Sequence, residues 1–365
     1  MGITVIGSLN FDLVTYTKRI PDPGETFKAD HFETHVGGKG LNQAVAIAKL
    51  RATPRSKEKG KDDADDDSDL DNYSVRLVGT VGNDFFGEQL LEYLRNHRVD
   101  TSMVTVASDD GVKTGTATIL VDGETGQNRI LVSEGANGLT VPDDAQLSQI
   151  FPSNLTERGE MVVFQHEIPD PVAIMHWIRK NRPLFKIVYN PSPFHPLPAE
   201  AWRLVDVLVV NEIESRQILE SVEFEGKTVE SMRALSAEID SDFVTAYKHV
   251  CETLQGSLMR REPGVSVIIT LGDKGVVYGS FSDDDGDSDI TVHYEPAITN
   301  VNVVDTTGAG DTFLGGLVTQ LYQGVPLGRA VPFSCQASTL TIQKRGAAES
   351  IPNYSDVCRV QAGRV

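Results

Sequence analysis

Val303-Val304-Asp305-Thr306-Thr307-Gly308-Ala309-Gly310-Asp311-Thr312-Phe313 gathers two glycines, two threonines and two aspartates into the seven residues 305–311. Asn302-Val303-Val304 closes an apolar, β-branched run, which predicts the end of a strand. Thr306 and Thr307 are candidate N-caps, and Gly308 and Gly310 let the backbone approach a ligand closely. From Asp311 onward Phe313, Leu314, Leu317, Val318 and Leu321 recur at helical spacing. A helix that opens straight after a flexible turn presents unpaired N–H groups and the positive end of its dipole, which makes an anion site. Asp311 stands in the first turn, within reach of a bound anion. Amides that hold a migrating phosphoryl beside a carboxylate that takes the acceptor's proton suit phosphoryl transfer. The alternative is an ordinary capped helix with an acidic first turn.

The chain has 365 residues and is 40% hydrophobic, enough for one large α/β unit with an appendage or for two domains. Its formal charge is −19, from 33 basic and 52 acidic residues. Seven Asp fall in 62–71 and five in 283–289; without those twelve the remainder carries −7. No basic face for nucleic acid is in view. The blocks 54–73 and 282–289 have few apolar residues and are expected to be disordered surface insertions, without EF-hand spacing. The N-terminus reads as a short strand rather than a signal peptide, and no run has the length of a membrane span. Cys251, Cys335 and Cys358 are odd in number and far apart, which fits a reduced compartment, cytoplasm or nucleus. The sequons at Asn72, Asn154 and Asn353 then carry no meaning.

Ile3–Ile6 is a predicted strand that ends in Gly7-Ser8-Leu9-Asn10-Phe11-Asp12. Asn10 and Asp12 project on one side of an extended segment, where an amide and a carboxylate can bind vicinal hydroxyls. A polar turn is the alternative. Residues 14–36 pattern as a hairpin, with strands at 14–16 and 26–32, and a second pair comes at 116–121 and 128–132. With no helix between partners, these four strands are expected to form a small lid over the site, or else edge strands of the main sheet. Gly37-Gly38-Lys39-Gly40-Leu41-Asn42-Gln43 opens a helix whose glycines allow close approach and whose Asn42 can bond a ligand. It is not a Walker loop, because Gly40 follows Lys39.

From residue 160 a rhythm of apolar run, polar residue and helix repeats. Runs at 161–164, 187–189, 205–210 and 265–271 end near Gln165 and Glu167, at Asn190, at Asn211 to Glu214, and at Gly272 to Gly275. Such runs predict a mostly parallel, Rossmann-like sheet with helices on both faces. Ligands bind beyond the carboxyl ends of such strands, so these polar residues, Asn10, Asp12 and the 305–311 turn are expected to share one site. Residues 223–261 read as an enlarged helical segment.

The segments GSLNFD at 7–12, GGKGLNQA at 37–44, GTVGNDFFG at 79–87 and DTTGAGD at 305–311 resemble, in order, the motifs of the ribokinase-like (PfkB-type) sugar kinases. The resemblance covers about residues 2–52 and 74–352. It implies a single kinase domain over 1–365 and ATP-dependent phosphorylation of the D-ribose 5-hydroxyl. It also implies Asp311 as catalytic base and Gly308, Ala309 and Gly310 as anion hole. Asn10, Asp12, Gly38, Lys39, Asn42 and Glu167, with Asp311, match sugar-contacting positions. Asn211, Thr270, Gly272, Gly275 and Gly310 match nucleotide contacts. Glu214 matches a Mg²⁺ supporter acting through water. Asp305, Thr307, Thr341, Lys344, Gly346 and Ser350 match the oxygen cage of a K⁺ activator, a role suited to hard donors. Against the family, Leu41 replaces a small residue and His166 an apolar one.

Alternatives remain at several positions. Asn211 and Glu214 could simply cap a helix, Glu167 could be a surface acid, and 270–275 a hairpin turn. Other classes are a deoxyribose, nucleoside or hexose kinase, a non-catalytic sugar-binding regulator, and a nicotinamide dehydrogenase. The last lacks the third glycine of G-x-G-x-x-G, since Phe313 stands there. A lid of open strands has an edge to cover, which suggests a homodimer through it.

Overall fold

The computed structural model describes residues 2–52, 73–124, 128–153, 159–222, 242–281 and 290–362. The acidic insertions and the 223–241 excursion lie outside them, as do the sequons at Asn72 and Asn154.

The strands in chain order are β1 (Gly2–Ile6), β2 (Asn10–Thr17), β3 (His31–Gly37), β4 (Ser74–Val81), β5 (Asp100–Val106), β6 (Gly115–Asp122) and β7 (Asn128–Ser133). They continue with β8 (Met161–Gln165), β9 (Lys186–Asn190), β10 (Val207–Asn211), β11 (Ser266–Thr270), β12 (Val276–Phe281) and β13 (Ile290–Glu295). Nine form one sheet in the order β13-β12-β11-β10-β9-β8-β1-β4-β5. Every pairing from β11 across to β5 is parallel, and β12 runs against both neighbours. The remaining four make a small sheet in the order β3-β2-β6-β7.

Alternation along each buried strand divides the apolar core. Val207 and Val209 face the helices Lys39–Leu50, Ala309–Tyr322 and Leu327–Thr341, together with Ile3, Val5 and Val163. Leu208 and Val210 face the other side with Phe164, Tyr189 and Ile269, under the helices Pro171–Asn181, Glu212–Ser221 and Phe243–Ser257. Strand continuity therefore needs apolar residues at successive positions, as the runs near 161, 187, 207 and 266 display.

Register aligns the strand ends. Gln165 pairs with Asn190, and Asn211 pairs with Thr270. The polar residues that follow these runs consequently emerge at one edge. β2 starts at Asn10, four residues beyond β1, and leaves the main sheet for the small one.

Three local expectations are corrected. Residues 302–304 are not a strand; the amides of Val304 and Asp305 bond the Ile342 carbonyl at 2.8 and 3.2 Å. The run is β-branched, but its hydrogen-bond partner is a helix end, and both valines stay exposed. The second lid strand is His31–Gly37 rather than 26–32, because pairing with β2 begins at Asn10 opposite Gly37. The helix Ala309–Tyr322 is capped by Gly308, in the left-handed region at φ 75°, and by neither threonine side chain. Thr307 instead donates to Asp305 through both its amide and its hydroxyl.

Candidate active site

Asp311 is 8% exposed at the start of its helix, and the helix Lys39–Leu50 packs beside it. Asn42 Nδ2 donates to Asp311 Oδ2 at 3.1 Å, and Gln43 Nε2 donates to Oδ1 at 2.9 Å. The carboxylate is thus oriented by one amide on each oxygen. Asn42 Oδ1 is buried and has no partner among the described residues, an acceptor left open for a ligand hydroxyl.

The amides around Asp311 differ in one detail from expectation. Ala309 N–H is bonded to the Thr306 carbonyl at 3.2 Å, and Thr312 N–H to that of Gly308 at 2.9 Å. Among the described residues the N–H groups of Gly308, Gly310 and Asp311 have no acceptor, so these three stay open at the helix start. A Cβ at Gly310 would meet nothing within 4 Å, which leaves the approach to these amides clear.

Glu167 is not a free surface acid. Its Oε2 accepts from Ser8 Oγ and from Lys39 N at 3.0 Å, tying β8's exit to the glycine turn. Gly38 caps the helix of residues 39–50. A Cβ at Gly40 would lie 2.6 Å from the Gly7 carbonyl carbon, so only glycine lets this turn sit against β1. Lys39 is half-buried. Burial pushes its ammonium down, but Asp311, Glu167 and Glu214 together outweigh that and hold it above the ordinary lysine value.

On the lid side, Asn10 is buried and its Oδ1 accepts from Asn137 Nδ2 at 2.7 Å. Asn137 Oδ1 also receives Leu9 N–H at 2.8 Å, so it fixes the turn leading into β2. Asp12 follows on the same face of β2. Burial raises its pKa to about 7, with Glu167 and Glu349 adding and His35 partly offsetting. His35 Nδ1 lies 3.5 Å from Glu349, which also takes Val36 N–H at 3.4 Å, so β3 is anchored to the loop after Thr341.

At the other end of the cleft, Asn211 Oδ1 accepts from Ile213 N and Glu214 N at 2.9 and 2.8 Å, and Glu214 Oε2 accepts from Asn211 N at 3.0 Å. This is a full capping box, so the capping alternative holds as geometry. Glu214 is nevertheless buried and close enough to raise Lys39, which puts the helix start on the same cleft. Thr270 Oγ1 bonds the Val210 carbonyl at 3.4 Å. Gly272 is exposed, and Gly275 is pressed against the Glu295 carbonyl, so 271–275 is also the hairpin turn into β12.

The loop residues 305–307 and 341–350 meet. Asp305 Oδ2 accepts Gly346 N–H at 2.9 Å, and Thr341 Oγ1 donates to Thr312 Oγ1 at 3.0 Å. Lys344 N–H is bonded to the Thr341 carbonyl at 3.0 Å, and Ser350 is buried. Burial pushes the Asp305 carboxyl up, but hydrogen bonds from Thr307 and Gly346 prevail and hold it below the ordinary value. Charged Asp305, hydroxyls and carbonyls make an oxygen-only donor set that fits a hard monovalent cation.

Sequence reasoning did not single out Ser8, Asn137, Gln43, His35 or Glu349 for roles here. Gln43 adjoins Asn42 in a quoted motif, and Asn137 lies in a Gly-Ala-Asn-Gly turn; those were the available signals. Leu41 is fully buried in the main core. His166 accepts or donates to Tyr189 OH at 2.8 Å, and burial with His195 nearby lowers it to about 4.

The chain matches the family described as pfkB family carbohydrate kinase over residues 2–354. It is 34% identical to a ribokinase of Schizosaccharomyces pombe over 363 residues, 98% of this chain and 96% of that one. A mouse ribokinase is 28% identical over 98% of this chain and 93% of its own. Among solved structures, ribokinase from Cryptococcus neoformans in complex with ADP superposes with a TM-score of 0.72 at 26% identity, covering 98% of this chain and 99% of that one. Arabidopsis thaliana ribokinase complexed with ribose and ATP gives 0.70 at 25% identity, covering 98% and 97%. Motif order, strand-end geometry and these likenesses agree, and the chain belongs to the pfkB family of carbohydrate kinases.

Proposed function

We propose that this protein transfers the γ-phosphoryl group of ATP to the 5-hydroxyl of D-ribose, giving D-ribose 5-phosphate, with residues 1–365 acting as one kinase domain. The observation that carries the reading is the meeting of Asp311, fixed by Asn42 and Gln43, with the open helix-start amides. The ribokinase relatives, one of them solved with ribose and ATP, favour ribose as acceptor and ATP as donor.

The sugar lies beneath the small sheet. Asn10, Asp12, Gly38, Lys39, Asn42 and Glu167 surround it, and the open Asn42 Oδ1 accepts from a hydroxyl. Asp311 accepts the proton of the attacking hydroxyl while holding it in line with the phosphoryl group. Gly310 and Asp311 N–H donate to the phosphate oxygens, and the raised Lys39 ammonium adds positive charge there. Asn211, Thr270, Gly272 and Gly275 border the nucleotide. Glu214 keeps Oε1 outside its capping box, which suits a water-held Mg²⁺ that would neutralise phosphate charge. Asp305, Thr307, Thr341, Lys344, Gly346 and Ser350 would hold K⁺, stiffening the anion turn. Closure of the small sheet excludes water from the transfer.

Two copies pair through that sheet. Its edge strand β7 is exposed along its length, with Ile130, Leu131 and Val132 open to solvent. Among the described residues no helix is long and apolar enough to cross a membrane. With three free cysteines, a reducing compartment such as the cytoplasm suits the chain.

A coupled ADP-release assay tests the reading with D-ribose, 2-deoxy-D-ribose, adenosine and D-fructose, each with and without potassium. D-Ribose with potassium should give the highest kcat/KM. Preference for another acceptor changes the substrate; ADP release with none of them removes the kinase reading.

A further inference from the structure

Two buried glutamines behind Asp311 belong to no motif role. Gln43 and Gln165 are both 0% exposed. Gln43 Nε2 donates to Asp311 Oδ1 at 2.9 Å and to Asn190 Oδ1 at 3.3 Å, while Gln43 Oε1 accepts from Gln165 Nε2 at 2.6 Å. A core position usually favours an aliphatic side chain, since each buried amide must satisfy its hydrogen bonds or carry a desolvation penalty. One penalty is visible: Gln165 Oε1 has no partner among the described residues. It lies against Gly7, where any Cβ would collide with it.

The order of donors along this chain has one solution. An ionised carboxylate only accepts, so the Gln43 NH₂ must face Asp311. Its oxygen then faces Gln165, whose NH₂ must answer, and the Gln165 oxygen is left over at Gly7. An amide turned the other way would aim a carbonyl at the carboxylate and repel it. Asn190 Nδ2 is itself bonded to the Val209 carbonyl at 2.9 Å, which turns its oxygen toward Gln43.

We infer that Gln43 is a positioning residue for phosphoryl transfer: backed by Gln165 and Asn190, it locks the Asp311 carboxylate in one orientation, with its remaining lone pairs set to accept. With Asn42 on the other oxygen, each oxygen keeps one lone pair, and only the cleft-facing one is open to an acceptor hydroxyl. Lys39 is the charged group that senses Asp311 from the neighbouring turn, and Glu167 and Glu214 share its field. The glutamine relay is the uncharged part of the same environment, so it sets orientation without drawing the carboxylate into an ion pair. The inference rests on Asp311 being the base.

Gln43→Met and Gln43→Glu keep the side chain's length. Gln43→Met should lower kcat by at least about tenfold while the ribose KM stays within about threefold, because the amide touches the base and not the sugar. Gln43→Glu puts a second carboxyl against Asp311, and one proton is shared between them. Its acid limb in kcat/KM should therefore move up by about one pH unit or more. A general loss of packing would lower activity at every pH without moving that limb. Asp311→Asn is the control. If it keeps normal turnover, the base assignment is wrong. If it is inactive while folded Gln43→Met turns over within twofold of the unmodified enzyme and Gln43→Glu has an unmoved limb, only the positioning role is overturned. Failure of both Gln43 variants to fold would make the side chain structural and would also overturn it.

Discussion

Asn42 Nδ2 and Asp311 Oδ2 lie 3.1 Å apart, joining the first turns of two helices across 269 residues of chain. Neither helix start could hold the carboxylate alone. Asp311 supplies the charge, and Gly315, where a Cβ would lie 2.4 Å from Ala46 Cβ, lets the two helices come close enough for Asn42 to restrain it. Asp311→Ala is therefore expected to lower kcat by at least about 10²-fold, a usual general-base contribution, with ribose binding within a few-fold. Steady-state kinetics together with ribose titration calorimetry separate the two quantities. Loss of ribose binding equal to the loss of rate would mean that Asp311 serves mainly as a sugar ligand.

Asn42 differs in kind, since it restrains the base with one atom and leaves the other open. Asn42→Ala should raise the ribose KM by roughly tenfold, the scale of one hydrogen bond, and also lower kcat. Unlike the Asp311 variant, it should affect both constants. An unchanged KM would show that the open Oδ1 does not meet the sugar.

Asp12 connects sugar binding to stability. Its folded pKa of about 7 lies well above the ordinary carboxylate value, with burial the main cause. Between about pH 4 and pH 7 the folded protein keeps a proton that the unfolded chain has released. The stability it contributes is full below the unfolded pKa and is lost as pH rises through the folded one. Asp12→Asn removes that titration. Its Tm should gain on wild type from about pH 4 to about pH 7, level off above, and end a few degrees higher, on the order set for small free-energy changes. Ribose KM should rise at the same time. Thermal melts across that range check the sign; a Tm difference independent of pH would show that Asp12 is not held in this state.

What could be read in the chain before folding was what repeats or clusters. Apolar runs at 161, 187, 207 and 266 announce buried parallel strands because each must cover both faces, and β10 buries Val207 and Leu208 on opposite sides. The glycine turns and Asp311 were legible because they combine residue types with few other uses. Val303 and Val304 misled because β-branched residues favour a strand without supplying its neighbour. The lid hairpin slipped because its strands carry little one-sided burial, so alternation could not fix its register. Gln43 and Asn137 stayed silent for another reason: a lone polar residue declares its role only when partners over a hundred residues away meet it.

Gly308 and Gly310 separate the requirements of folding from those of the reaction. Gly308 has φ 75°, and a Cβ there would lie 2.9 Å from Ala347 Cα. Gly308→Ala meets both left-handed strain and backbone contact, and should cost about 1–3 kcal/mol of stability, with a Tm several degrees lower. Gly310 has no positive φ and open space where its Cβ would stand. In a helix, alanine is favoured over glycine by about 1 kcal/mol, so Gly310→Ala should melt at the same temperature or higher. The added methyl nevertheless projects beside the open amides of residues 310 and 311, where a phosphate would come into contact. Its kcat/KM for ATP should fall by about tenfold or more with the ribose KM little changed. Full activity in stable Gly310→Ala would mean that the phosphoryl group approaches from elsewhere. A drop in both stability and ATP use for Gly308→Ala alone would assign the turn to architecture rather than to anion binding.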